Sequence, residues 1–192
     1  MKQQSKRQQI SERIWVEKPG PHEVHIEIDQ KIPRWQESLL LGWLIAWTFC
    51  GGVFVYYALQ PVAWSDRIFF IISSSLWLYF FIRIAKVFLW RRMGKEKIQI
   101  RPGEMTIQNA IGKWGRVEKF GLHQIQKLGI IKQDPGNFFV FLDNSFWIIG
   151  GDKVGFIKGS TPHRVGKQLS VRESESLVRI MDSAIKAFSK QL

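Results

Sequence analysis

The sequence predicts a helical membrane hairpin joined to a mainly-β domain that a C-terminal helix caps. Three observations carry this. Two long apolar stretches lie at positions 39–59 and 68–89, strand-like alternation begins after Gly94, and an amphipathic segment follows Ser170. Of the 192 residues, 45% are apolar and 14% aromatic, which excludes a disordered polymer and leaves enough material for a packed core. Charge is unevenly spread: residues 1–35 contribute +2, residues 36–93 +3 and residues 94–192 +7 to the net +12.

The first apolar stretch, Leu39 to Leu59, has 21 residues without a formal charge. As a helix it measures ~31 Å, the thickness of a bilayer core. A buried helix of a small soluble protein seldom needs so many. The second has 15 uncharged residues, Ile68 to Ile82. Extending it to Leu89 brings the length to ~33 Å and takes in Arg83 and Lys86, whose long side chains can reach the head groups from one end of a span. Aromatic residues sit where membrane interfaces favour them: Trp35 and Trp43 at the start of the first span, Tyr56, Tyr57 and Trp64 on the far side, Trp90 at the end of the second.

The connector QPVAWSDR is short, so the spans form an antiparallel hairpin. It holds one cation, Arg67. Lys31 and Arg34 precede the first span, and Arg83, Lys86, Arg91, Arg92, Lys95, Lys97 and Arg101 line the exit of the second. The positive-inside rule then puts both termini in the cytoplasm of a multi-pass protein. Gly42, Ala46 and Cys50 recur every four residues and form a helix-packing stripe of small side chains, facing either the second span, with Ser73, Ser74 and Ser75, or a foreign protein. Cys50 is the one cysteine, which excludes an intramolecular disulfide. The N-terminus, MKQQSKRQQISERIW, continues into polar residues, so no cleavable signal peptide is expected.

Behind Gly94 the period falls to two. Glu96 to Arg101 alternates, Pro102 and Gly103 turn the chain, and Glu104 to Asn109 alternates again. Trp114 to Phe120 and His123 to Lys132 follow as strands, closed by a turn at Asp134, Pro135, Gly136 and Asn137. NFFVFLDNSFWIIGG supplies one or two very apolar strands, with a bend at Asp143 and Asn144. Lys153 to Lys158 and His163 to Lys167 complete roughly seven strands, a number suited to an antiparallel barrel or sandwich. Ser170 and Glu173 form a capping box, after which Leu177, Ile180, Met181, Ala184 and Phe188 share one helix face. Such a helix can plug the open end of an imperfectly closed strand set.

Leu89 to Leu128 resembles the opening of bacterial pleckstrin-homology-like (PH-like) domains found in small two-span membrane proteins. A basic exit from the membrane leads to a Gly with charged residues, two short strands, a glycine turn, and a strand pair ending in I-x-x-L. KVGFIKGSTPHRVGKQLSVRESESLVRIM resembles the closing hairpin and helix of that family, including Gly166, Ser170 and the acidic start Glu173 to Glu175. The resemblance covers about 100 residues. It implies a seven-stranded, helix-capped barrel at the bacterial inner membrane and no settled catalytic role. NFFVFLDNSFWIIGG departs from the family by being bulkier than a Gly-rich link, which implies an altered edge or a partner surface.

Enzyme signatures are missing: there is no Walker loop, G-x-S-x-G, G-x-G-x-x-G or C-x-x-C. His22, Glu23 and His25 look like a zinc motif in letters alone, because the histidines are three apart and the run HEVHIEID alternates as a strand, with Val24, Ile26 and Ile28 on one face. His123 and His163 read as surface residues. Asp134, Asp143 and Asp152 stand at turns for backbone reasons. Lys113, Arg116 and Lys119 are too few to make a phosphate pocket, and the loop Arg101 to Glu104 is too short and not basic enough for one. No metal, cofactor, small-molecule substrate or nucleic-acid partner is implied.

The expected function is therefore a non-enzymatic module, anchored in the inner membrane, that mediates protein interaction as an accessory or assembly component of a membrane complex. Its partners would be membrane lipids and a membrane protein. Glu23 to Asp29 could complete or cover an edge of the domain. The alternative is anionic-lipid head-group binding by the basic cluster Arg83, Lys86, Arg91, Arg92, Lys95 and Lys97.

Overall fold

A computed structural model describes residues 6–61, 63–132 and 136–189. The expected turn at Asp134 and Pro135 lies outside these residues. They divide into a β-rich unit, which takes in the described residues up to Lys31, Met93–Ser145 and those from Ile149 onward, and a helical unit, Ile32–Arg92 with Phe146–Ile148.

The β-rich unit holds a six-stranded antiparallel meander in chain order: β1 (Lys6–Gln9), β2 (Ile14–Gly20), β3 (Glu23–Asp29), β4 (Gly94–Arg101), β5 (Glu104–Ile111) and β6 (Trp114–Gly121). β3 and β4 pair with Val24 opposite Ile100 and Ile26 opposite Ile98, which keeps both apolar rows on one face, as a one-residue slip would not. The N-terminal strands thus join the sheet through β4, even though the two apolar helices intervene in sequence. Only β3 of this hairpin is legible beforehand. Ile14, Trp15 and Val16 are consecutive apolar residues, and Pro19 and Gly20 end β2, so no clean two-residue period marks it.

A second sheet contains β7 (Ile125–Ile130), β8 (Asp152–Lys158) and β9 (Thr161–Lys167), reached through a short 3₁₀ turn, Leu122–Gln124. Lys127, at φ 51°, marks an irregularity where the β7–β8 register shifts between Gln126 and Gly129. The two sheets share one core, in which Ile14, Ile26, Ile28, Ile98, Ile100 and Met105 meet Val154, Phe156 and Val165. Leu177, Met181, Ala184 and Phe188 of the terminal helix α4 (Val171–Ser189) are buried in the same core, as their spacing requires. The expected closed barrel does not form: among the described residues β6 pairs only with β5 and β7 only with β8, so the strands remain two separate sheets.

NFFVFLDNSFWIIGG contains a short helix, α3 (Phe138–Asp143), rather than strands. Local capping overrides its strand-like composition: the Asn137 side chain accepts from the Phe139 amide at 2.9 Å, and Asp143 Oδ2 accepts from the Gly151 amide at 3.0 Å, folding the segment into a loop between paired strands.

The helical unit contains α1 (Arg34–Leu59) and α2 (Trp64–Met93), with 26 and 30 residues. α1 begins before its uncharged stretch and ends with it at Leu59, while α2 extends beyond its stretch at both ends. Both are long and apolar enough to cross a membrane, and only 11% and 0% of their most apolar windows are buried. Tyr57 stacks on Phe70 at 5.4 Å, Trp47 meets Trp77, and Arg92 lies 3.8 Å from Glu37, so the helices run antiparallel.

Candidate functional site

The basic residues at the end of α2 have different local partners. Arg83 and Lys86 are exposed, and Arg83 Nη1 donates to the Tyr79 hydroxyl at 2.9 Å. Arg91 is 2% exposed and its Nη2 donates to the Ile148 carbonyl at 2.7 Å. The signal for this burial is the spacing of Val87, Trp90 and Arg91, which shares one helix face. Arg92 is exposed beside Glu37.

In β4, Lys95 hydrogen-bonds Glu27 and lies 3.6 Å from Asp29. The Glu27 hydrogen bond, opposed by burial, raises the lysine pKa above its ordinary value. Burial alone would raise the Glu27 pKa, but Lys95, together with Arg7 and Lys97, brings it below the carboxylate norm. Lys97 lies opposite Glu27 in the register and borders a hollow of about 150 Å³ with Arg7, Trp15, Glu17 and His25. This face of the sheet therefore carries both signs of charge rather than a basic field.

His25 Nε2 and Glu23 Oε1 lie 2.6 Å apart, and Arg101 also bonds Glu23 at 2.5 Å. The His25 hydrogen bond leads the causes that hold the Glu23 carboxyl below its ordinary value. His123 is exposed. His163 instead is half-buried, stacked on Phe156 at 5.5 Å and edge-on to Phe120 at 4.7 Å. Among the described residues no group of three His, Cys, Asp or Glu could hold a metal ion.

The small-residue stripe on α1 is exposed: Gly42, Ala46 and Cys50 all face away from α2, and a Cβ on Gly42 would meet nothing within 4 Å. Contact with α2 runs through Gly51, where a Cβ would come within 2.0 Å of the Trp77 ring. A stripe of small residues gives a helix face but no partner, and the aromatic residue on the facing helix decides which glycine is covered.

Sequence reasoning missed a polar node inside the β-rich unit. Glu96 is fully buried; its Oε2 accepts from the Gly166 amide at 2.8 Å, and Lys167 Nζ lies 3.8 Å from its Oε1 and 3.0 Å from Asp152 Oδ1. Burial raises the Glu96 pKa, with Lys167 and the amides opposing. Nearby, the largely buried Arg13 donates to the carbonyls of Asp29, Lys167 and Gln168. The node joins β4 of the first sheet to β8 and β9 of the second. Its signal was available, because Glu96 has the same strand parity as the buried Ile98 and Ile100.

No family model and no curated protein matches this chain.

Among the described residues, two surfaces of the β-rich unit stand out by their exposed aromatic side chains. One is β6, an eight-residue edge strand whose first six residues are exposed, Trp114 at 85%. The other is α3, where Phe138, Phe139 and Phe141 point outward. A third feature is a groove of about 430 Å³ between the β1–β2–β3 strands and α4, with Ile10, Val16, Ile180 and Phe188 along its walls. Exposed aromatic side chains beside unpaired backbone suit macromolecular contact better than small-molecule chemistry.

Proposed function

We propose that this chain is a non-enzymatic membrane module. In this reading α1 and α2 cross the bacterial inner membrane with both termini in the cytoplasm, and a PH-like β-rich unit offers an open strand edge to a protein of a larger membrane complex. The membrane part is supported by the exposure of large apolar side chains along both helices, among them Phe49, Leu59, Trp64 and Phe69, which water disfavours. The cationic excess near the outer helix ends supports the orientation.

The observation that carries the docking role is the β6 edge. It leaves a row of backbone donors and acceptors without a strand partner among the described residues, flanked by exposed Trp114 and Val117. A partner strand could add to this edge, with main-chain hydrogen bonds giving affinity and the two side chains giving specificity. Arg116, Glu118 and Lys119 intersperse charge along the strand, a device that discourages uncontrolled pairing of edges.

The test is site-directed photo-crosslinking in cells at positions 114 and 117, with Thr106, on the central strand β5, as the comparison position. One discrete adduct at both edge positions, lost in a Trp114→Glu, Val117→Lys variant that still reaches the membrane, supports the reading. Equal labelling at position 106, or no adduct at the edge, rejects it.

Head-group binding has less support, because Lys95 is engaged by Glu27 and Asp29, Arg92 sits beside Glu37, and Arg91 faces a backbone carbonyl.

A further inference from the structure

Helix α3 exposes Phe138 at 65%, Phe139 at 78% and Phe141 at 68%, while Val140 and Leu142 are half-buried. Three phenylalanines so exposed within six residues form an apolar face with no charge between Asn137 and Asp143. The chain that follows indicates what covers this face.

After Asn144 and Ser145 the segment Phe146–Ile148 belongs to the helical unit. Phe146 meets Trp35 edge-on at 6.1 Å, Trp147 meets Trp43 at 6.0 Å, and Arg91 holds the Ile148 carbonyl at 2.7 Å. These contacts engage the opening turns of α1 and the last turn of α2. In the membrane reading, that end of the hairpin is the interface, where Trp and Arg side chains settle. Asp143 ends α3 three residues before Phe146, and three trans-peptide steps reach at most ~11 Å. Covalent geometry therefore keeps the end of α3 close to the depth at which the helices leave lipid.

We propose that α3 is an interfacial anchor, with Phe138, Phe139 and Phe141 inserted among the head groups and upper acyl chains of the leaflet where both helices end. A shallow face of aromatic rings suits a fluid lipid surface, into which amphipathic segments bury one side. Asn137, which caps the helix start, and Asp143, its last residue, make both ends of the helix polar. The anchor rests on the reading that α1 and α2 span the bilayer.

The test uses the full chain in phosphatidylethanolamine and phosphatidylglycerol vesicles, in a Cys50→Ala background. An environment-sensitive fluorophore is attached at Phe139→Cys, Phe141→Cys or, as a reference within α1, Phe49→Cys. At 139 and 141 the expected result is blue-shifted emission that a nitroxide just below the head groups quenches more than one at the chain end, with protection from aqueous iodide. If position 49 is quenched from the lipid but 139 and 141 are open to iodide, the anchor is refuted and the spans stand. If position 49 is also open to iodide, both fail. Labels that stay aqueous in vesicles yet become shielded in native membranes would assign the face to a protein and overturn lipid insertion. All three phenylalanines are exposed, so a Phe139→Ser, Phe141→Ser variant should keep the thermal midpoint of the parent while losing the lipid contact of a label at Phe138→Cys.

Discussion

Trp47 and Trp77 donate their indole N–H groups to each other's backbone carbonyls, at 3.3 Å and 2.6 Å. This reciprocal pair holds α1 against α2 where the helices carry few other polar groups, and the Trp77 ring lies against Gly51. Gly51→Ala should force the ring aside and cost about 1–3 kcal/mol of hairpin stability, as overpacking does. Trp77→Phe keeps most of the ring and loses one hydrogen bond, worth about 1 kcal/mol between membrane helices. Thermal unfolding of the full chain in detergent checks both, and Gly42→Ala, at an exposed position, should leave the midpoint unchanged.

Which glycine mattered could not be read from α1 alone. The small-residue pattern Gly42, Ala46, Cys50 is as regular as any in the chain, yet Trp77, thirty residues beyond Trp47, selects Gly51 instead. Helix length and polarity are local properties, so the apolar stretches were legible; helix contacts depend on the facing partner. The same division holds among the strands. The alternation of Val24, Ile26 and Ile28 revealed β3, but its pairing with β4 spans both helices and leaves no local mark. In α3 the aromatic run read as strand because ring-rich segments favour strands, while the deciding features, the Asn137 cap and the Asp143 bond to the Gly151 amide, are single side chains. Glu96 was legible in principle: its parity with Ile98 and Ile100 points it inward, and what was missing was the second sheet that supplies Lys167.

That inward carboxyl gives a pH signature with a definite sign. The unfolded Glu96 ionises near the ordinary value of 4.5, while burial raises the folded value. In the window above 4.5 and below the raised value, the native chain binds more protons than the unfolded one. Stability from this group therefore falls as pH rises, by at most ~1.4 kcal/mol per pH unit. Glu96→Gln removes the slope. Denaturation of both proteins across this range should show the variant gaining on the parent as pH rises; a gap that moves the other way would mean that Lys167 outweighs burial.

The N-terminal hairpin should be integral to the β-rich unit. Ile14, Ile26 and Ile28 are at most 1% exposed within the shared core, and β3 pairs with β2 and β4 on its two sides. Deleting residues 1–30 should lower the thermal midpoint sharply and open β4 to proteolysis. Ile26→Ala alone should cost about 2–5 kcal/mol through lost burial and a residual cavity. An unchanged midpoint after the deletion would detach the hairpin from the fold.

The start of α4 offers a finer measurement. Ser170 Oγ accepts from the Glu173 amide at 3.3 Å and Glu173 Oε2 accepts from the Ser170 amide at 2.9 Å, so each residue satisfies a donor of the other. Glu173 also receives the Ser11 hydroxyl at 3.0 Å and attraction from Arg13, which ties the helix start to the segment before β2. Burial alone would raise the Glu173 pKa, but these hydrogen bonds outweigh it and bring the carboxyl below 4.5. Ser170→Ala should cost about 1 kcal/mol at neutral pH and vary little with acid. Glu173→Gln should cost more, because it weakens both the cap and the Arg13 attraction. Its penalty should hold above 4.5, the ordinary value, and shrink as pH falls through the depressed folded value, where the parent carboxylate is itself neutralised. Chemical denaturation of the two variants at neutral and acid pH separates these patterns, and a Glu173→Gln penalty that stayed constant into strong acid would show that the carboxylate charge plays no part at the helix start.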